Sequence, residues 1–249
     1  MKISIITPTY NSGKTLARTI ESVVAQNYQD LEYIIIDGLS SDNTKDIVAS
    51  YQDNIKINFI SEKDKGIFDA MNKGIKIATG EIIGILNSDD FYDNDKVLEI
   101  ISEAFNDPKI DAVYSDIKYF DNDVNKTTRY WKAGDYSDKK FNNGWMIPHP
   151  TLFVRKSVYE RFGLFNIDFR QAADYEFMLR LLKIHKINLK YIPSVLVKMY
   201  AGGTSGSSLK QRIKGWGETR NAWSANDLKI PRFFITRRIL NKLGQFIFR

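Results

Sequence analysis

The chain has 249 residues, 43 % hydrophobic and 27 % charged, with a formal net charge of +6; this composition suits a globular chain that buries a full core and excludes global disorder. It has no cysteine and only two histidines, which excludes a disulfide scaffold, thiolate-ligated zinc, iron–sulfur clusters, thiol catalysis and a three-histidine metal site. The charge is uneven: residues 210–249 hold ten Lys/Arg against Glu218 and Asp227, a net +8 that leaves −2 for the remaining 209 positions.

In chain order, short apolar runs alternate with amphipathic stretches. Strands are expected over residues 2–7, 31–37, 55–60, 81–86 and 112–115, and helices over 12–25, 42–51, 66–78 and 93–105. Continuous apolar strands alternating with helices predict a doubly wound, mostly parallel sheet covered on both faces. The second half is less regular. It reads as a hairpin over 117–131, a strand at 151–154, a short helix at 156–162, a longer helix at 172–185 and two strands around Pro193. The Gly/Ser-rich stretch 201–208 reads as a loop. In the tail, Ile235, Ile239, Leu240, Leu243, Phe246 and Ile247 fall on one helical stripe, opposite Arg238, Lys242 and Arg249, as in a basic amphipathic helix. No run approaches the ~20 apolar residues that span a bilayer, and the first residues lack the apolar length and cleavage site of a signal peptide. The expected location is cytoplasmic, and the tail gives it a possible peripheral hold on the inner face of the membrane.

Ligands of parallel sheets bind beyond the carboxyl ends of the strands, which directs attention to residues 7–11, 37–41, 62–66 and 87–90. Neither a Gly-x-Gly-x-x-Gly nor a P-loop motif is present, so a dinucleotide site and a Walker-type phosphate cradle are not expected. Asp89 and Asp90 end a buried strand. Two adjacent carboxylates repel, and a divalent cation with hard oxygen ligands, Mg or Mn, removes the repulsion; one of the pair could instead cap the next helix. Asp37-Gly38 reads as a turn before a Ser41/Asp42 cap, and Tyr10 as an aromatic that either stacks on a base or packs on the rim.

Together, Thr7-Pro8-Thr9-Tyr10-Asn11, the 37–44 segment Asp-Gly-Leu-Ser-Ser-Asp-Asn-Thr, the 65–74 segment Lys-Gly-Ile-Phe-Asp-Ala-Met-Asn-Lys-Gly and Leu86-Asn87-Ser88-Asp89-Asp90 resemble the ordered signatures of family 2 glycosyltransferases with a GT-A fold. The later segments 148–155, with His149 between two prolines, and 169–180, with Asp174, resemble the family's acceptor half. The resemblance covers roughly residues 1–200. It implies a nucleotide-sugar-binding half (1–115), an acceptor-binding and catalytic-base half of the same domain (116–208) and a basic amphipathic tail (209–249). It implies that Thr7, Pro8 and Tyr10 line the base pocket, that Asp37 accepts from the base, and that Asp89 contacts the ribose or donor sugar. It places Asp90 on the metal, Lys65 and Asp69 near the donor, and Asp174 as the base that deprotonates the acceptor hydroxyl. His149 and Glu176 are candidate acceptor contacts. The chain departs from the pattern at Asn87, where many members carry an acid two residues before the Asp pair, and at Ala173, where many carry Glu.

The implied reaction is inverting transfer from a nucleotide donor, most simply a UDP-sugar, to a hydroxyl of a glycan or lipid-linked glycan in bacterial-type surface polysaccharide synthesis. The alternative is a non-catalytic nucleotide-sugar or polyanion binder that keeps the fold. Nucleic acid is not an expected partner, because no nucleic-acid-binding module is recognisable. Two readings concern the C-terminal part. The loop at 202–206, with Lys210, Arg212 or Lys214, is a candidate lid over the donor. Residues 231–249 are a candidate contact with anionic membrane, the other reading being packing on the body or on a second subunit.

Overall fold

The structure is a computed structural model that describes residues 1–121, 123–202 and 209–244. The first half follows the predicted alternation. It runs β1 (Ile3–Thr9), α1 (Leu16–Val24), β2 (Leu31–Asp37), α2 (Thr44–Ser50), β3 (Ile57–Ser61), α3 (Ile67–Ile77), β4 (Ile82–Ile85), β5 (Phe91–Tyr92) and α4 (Val97–Ala104). The second half comprises β6 (Ala112–Phe120), β7 (Thr127–Trp131), α5 (Asp138–Asn142), β8 (Phe153–Arg155), α6 (Lys156–Phe162), α7 (Ala173–Leu179), β9 (Leu189–Tyr200), α8 (Leu209–Ala225) and α9 (Phe234–Gly244).

Among the described residues the strands form one sheet in the order β3-β2-β1-β4-β8-β6-β9-β5, with β7 paired to β6. β3, β2, β1 and β4 are parallel neighbours, β8 runs antiparallel between β4 and β6, and β6 and β9 are again parallel. The sheet is therefore mixed but mostly parallel. Alternation along each strand explains why it is covered on both faces. Ile3 and Ile5 of β1, Tyr33 and Ile35 of β2 and Ile82 of β4 enter one core with α1 and α4. Ile6, Ile34, Ile36, Ile83 and Ile85 enter the other with α3, α6 and α7.

Three elements differ from expectation for identifiable reasons. The two strands expected around Pro193 are one strand, β9, whose register against β6 shifts between Ser115 and Ile117 and so absorbs the proline as a bulge. The helix expected over 172–185 is α-helical only to Leu179 and then widens into a π-type turn over Arg180–Ile184. The tail is not a free appendage. Ala222 and Trp223 of α8 and Phe234 of α9 are buried in the main core, and Ile235 of the predicted apolar stripe packs against it. Leu240, on the same stripe, and Phe233 remain exposed. Residues 203–206 of the candidate lid, the side chains of Lys210 and Arg212, and Phe246 and Ile247 of the tail lie outside the described residues; Lys214 is exposed on α8.

One carboxylate ties the first strands together. Glu32 of β2 accepts from Ser4 of β1 and from the backbone and hydroxyl of Thr79, which precedes β4. Burial pushes its pKa up, but these hydrogen bonds, with Lys2 nearby, outweigh burial and bring it down to about 2. A depressed carboxyl pKa contributes stability that is fully present above the unfolded value of ~4.3 and is lost as pH falls towards the folded value. Glu32→Gln is expected to lower Tm at pH 7 by roughly 3–6 °C, the equivalent of about 1–2 kcal/mol. The gap to wild type should close below pH 4, as thermal melts across pH 2.5–8 would show.

Candidate active site

The carboxyl ends of β1 and β4 open into a cleft of about 2070 Å³, twice the upper range of a single small-ligand pocket and so large enough for two substrates. Pro8, Thr9 and Tyr10 line it from the end of β1, and Asn87, Ser88 and Asp89 from the end of β4. Asp174 and Tyr175, in the first turn of α7, line it from the second half of the chain.

The donor-side loops are cross-tied. Asn11, at φ 49°, accepts from the Ser41 backbone N–H at 2.9 Å, and its own N–H donates to Ser40 Oγ at 2.7 Å. Thr44 Oγ1 and Asp42 Oδ2 accept from the backbone of Ser12 and Gly13. Asp37, buried at the end of β2, accepts from Ser61 Oγ at 2.6 Å and from the N–H and hydroxyl of Ser40. Its carboxylate thus holds the second loop in place at the end of the strand. Thr7 is also buried, its hydroxyl 3.2 Å from Tyr33 Oη. Tyr10 is 65 % exposed and free to meet a ligand. Asp64 lies against it and Gly38: a Cβ on Gly38 would stand 2.5 Å from Asp64 Oδ2. Asp64 lines the cleft from the 62–66 strand-end segment, although the sequence did not single out this residue within it. Lys65 is exposed, and Asp69 accepts from its backbone N–H at 3.0 Å; neither is among the residues lining the cleft.

The two adjacent acids have different surroundings. Asp89 lines the cleft, and burial raises its pKa. Asp90 is fully buried behind it, where burial and then the charge of Asp89 push its pKa well up. Asp90 Oδ2 accepts from Asn87 Nδ2 at 3.0 Å, and Oδ1 from the Tyr200 backbone N–H at 3.4 Å. Asp90, which the resemblance places on the metal, turns to Asn87 and the end of β9, and Asp89 is the member of the pair that lines the cleft. Asn87 Oδ1 is buried without a hydrogen-bond partner. Among the described residues no trio of His, Cys, Asp or Glu gathers. The fit to a divalent cation thus rests on a carboxylate at the cleft, a second behind it and an orphaned amide oxygen. All are hard oxygen donors of the kind Mg or Mn takes, with oxygens of a bound diphosphate left to complete the shell.

Asp174 sits where a helix N-terminus favours an ionised carboxylate, and its Oδ1 accepts from the Tyr175 backbone N–H at 2.8 Å. α7 has no side-chain cap of its own. Glu218 of α8 supplies one, accepting from the backbone of Gln171 at 2.7 Å and Ala172 at 3.1 Å. Trp223 Nε1 donates to Tyr175 Oη at 2.9 Å. α8, which the sequence left unread, thus positions the helix that carries Asp174. Glu218→Ala removes the oxygen that accepts both hydrogen bonds. It is expected to cost about 1–2 kcal/mol and to lower turnover by placing Asp174 less well; Tm and kcat measured on one preparation would show both losses.

His149 lies outside the cleft lining, edge-on to Phe165 at 5.6 Å between ring centroids. Burial lowers its pKa against the opposing pull of Asp174, which favours a neutral imidazole. Glu176 is buried and turned away from the cleft, where it pairs with Arg180 at 3.0 Å and accepts from Asn226 at 3.1 Å; an acceptor contact would have to break that pair. Arg129, which the sequence reading did not single out, lines the cleft with its guanidinium carbon 4.4 Å from the Tyr119 ring centroid and 5.4 Å from that of Trp131.

A mostly parallel sheet whose strand ends open on an acid-lined cleft, completed by a carboxylate on the helix of a second half, defines a GT-A-like α/β fold. A family model described as "Glycosyl transferase family 2" matches residues 4–163, and the chain belongs to that family. It is 32 % identical over 183 residues to the chondroitin synthase of Escherichia coli, an alignment that covers 73 % of this chain and 26 % of that relative; the chain thus spans about a quarter of its length. The structure of S. aureus TarS 1-349 in complex with UDP-GlcNAc has a similar fold, with a TM-score of 0.73 at 18 % identity over 99 % of this chain and 79 % of that one. So does the mannosyltransferase PcManGT from Pyrobaculum calidifontis in complex with GDP-Man and Mn2+, with a TM-score of 0.67 at 19 % identity over 95 % and 68 %. Among the described residues no helix is long and apolar enough to cross a membrane.

Proposed function

We propose that the protein moves a sugar from a nucleotide donor, a UDP-sugar, to a hydroxyl of a glycan or lipid-linked glycan, with inversion at the anomeric carbon. The observation that carries this reading is that Asp89, at a strand end, and Asp174, on a helix from the other half, line one cleft. Family membership, the UDP-GlcNAc complex of TarS and the GDP-Man and Mn2+ complex of PcManGT support it.

In this reading the base pocket is formed by Pro8, Tyr10 and Asp64, with Asp37 and Thr7 beneath. Asp37 retains acceptor capacity beyond the three hydrogen bonds it already takes. Asp89, backed by Asp90 and Asn87, would hold a divalent cation, whose chemistry is to offset the charge that grows on the departing nucleotide. Lys65 and Asp69 support the loop that enters α3. Asp174 accepts the proton of the attacking hydroxyl; a single base and direct displacement convert an α-linked donor into a β-linked product. His149 stands behind the base, where as a neutral imidazole it tunes the acceptor side without sharing the proton. Residues 231–249 would hold the protein peripherally at an anionic membrane face on the cytoplasmic side, through Phe233 and Leu240 with Arg232 and Arg237.

The test is a panel of nucleotide sugars incubated with the protein, with and without Mg or Mn, read as release of the nucleotide. Slow hydrolysis of the true donor needs no knowledge of the acceptor. Metal-dependent release from one donor class supports the reading, and no release from any donor counts against it.

A further inference from the structure

The cations that line the cleft outnumber its acids. The donor loops contribute Asp42, Asp64 and Asp89 against Lys14. The rest of the lining carries Arg129, Lys132, Lys139, Lys140, Arg238 and Lys242, with Asp174 the acid among them. A neutral sugar acceptor needs no such surplus, and cations this close to one another repel.

Arg238 has the most specific placement of the six. It projects from α9, whose backbone is pressed on the turn after α5: a Cβ on Gly144, at φ 89°, would stand 2.6 Å from the Arg238 Cα. Phe234, packed on Tyr175 and Trp223, anchors the helix one turn earlier. Arg237 and Asn241 bond Asn143 on either side, each at 2.7 Å. The Arg238 guanidinium lies over the Tyr175 ring, 4.8 Å from its centroid. Nη2 donates to Met146 Sδ at 2.8 Å, a weak acceptor. Nη1 is buried with no hydrogen-bond partner. Burial depresses the guanidinium pKa, against the opposing pull of Tyr175 and then of Asp174. A cation held rigidly, stripped of water and given no hydrogen-bonded anion is costly for the free protein. It becomes favourable when a ligand brings the anion, and a planar guanidinium suits a carboxylate or phosphate.

We infer that the acceptor carries an anionic group, a phosphate or a carboxylate, close to the hydroxyl that attacks, and that Arg238 on the C-terminal helix receives it beside Asp174. This inference rests on the proposed transferase reading for the word acceptor; the anion site itself does not depend on it. Arg238 is then a specificity-determining residue. It draws the charged acceptor to the base and leaves neutral sugars at a disadvantage.

The experiment titrates glycerol 1-phosphate, methyl β-glucuronide and neutral methyl β-glucoside into the full chain, followed by NMR, with UDP and Mn titrated separately. Wild type is expected to bind at least one of the two anionic probes at least tenfold tighter than the glucoside, the preferred probe separating phosphate from carboxylate. The preference should weaken at high salt. Arg238→Gln should abolish it, Arg238→Lys should keep part of it, and UDP affinity should be unchanged in both variants. No anionic preference in wild type, or a preference intact in Arg238→Gln, overturns the inference; so does a loss in Arg238→Gln confined to UDP, which would assign the cation to the donor. Failure of wild type to bind UDP with Mn would instead count against the donor reading and is scored separately.

Discussion

Asp174→Asn is expected to lower sugar transfer about 10³-fold, within the range for losing a positioned general base, while UDP binding stays within twofold of wild type. The reasoning is geometric. Asp174 lines the cleft from the first turn of α7. The donor loops follow β1, β2 and β4 and, among the described residues, make no hydrogen bond to its side chain, so the amide removes proton acceptance and leaves the donor pocket intact. Asn preserves the size of the side chain and its bond to the Tyr175 N–H. A loss of kcat with donor affinity kept is the signature of a group that acts only in the chemical step. A non-catalytic binder with the same fold would show no turnover to lose.

Asp89→Asn is expected to act in the opposite sense, on donor and cation. Burial raises the Asp89 pKa, and burial with the Asp89 charge raises that of Asp90 further. For carboxyls the sign follows directly: folded pKa values above the unfolded ~3.9 mean that the folded state holds more protons. The metal-free protein therefore loses stability as pH rises above about 4 towards the raised folded values, and at neutral pH the pair is a net cost to the folded state. A bound divalent cation relieves that cost. At a hundred times its Kd it adds about 2.7 kcal/mol, roughly 5–10 °C in Tm for a chain of this size. Asp89→Asn should raise the metal-free Tm at pH 7, erase the rise on adding Mn and lower transfer by at least about 100-fold, the scale of losing one preorganised electrostatic contact. Thermal melts with and without Mn, in both proteins, check all but the last.

Most of the donor half was legible because β1, β2 and β4 are buried on both faces. Ile3, Ile5 and Ile6, or Ile34, Ile35 and Ile36, then read as continuous apolar runs that only a covered parallel strand accommodates. Helix ends were less legible: predicted helices ran two to four residues beyond α1, α2 and α4, because cap and first-turn residues share the polarity of the loops. α8 carried no single apolar stripe. Trp216 is separated from Ala222 and Trp223 by Gly217, Glu218, Thr219, Arg220 and Asn221, and the helix is held by tertiary contacts such as the burial of Ala222 and Trp223.

The site divides in the same way. Pro8, Tyr10, Asp89 and Asp174 were readable because they stand at the ends of readable elements. Asp64 stands in the strand-end segment 62–66 but carries no motif of its own, and Arg129 and Arg238 were not readable, since each reaches the cleft through a tertiary contact that local pattern does not encode. Glu176 could have been placed: its spacing to Arg180 is i,i+4, which favours the pair found.

The most direct measurement of the central claim is the anomer formed first when water replaces the acceptor. With an α-linked nucleotide sugar that the protein hydrolyses, one-dimensional proton NMR within the mutarotation time should show the β-anomer appearing first, and Asp174→Asn should slow its appearance. The α-anomer appearing first, at a rate that ignores Asp174, would contradict direct displacement assisted by that carboxylate.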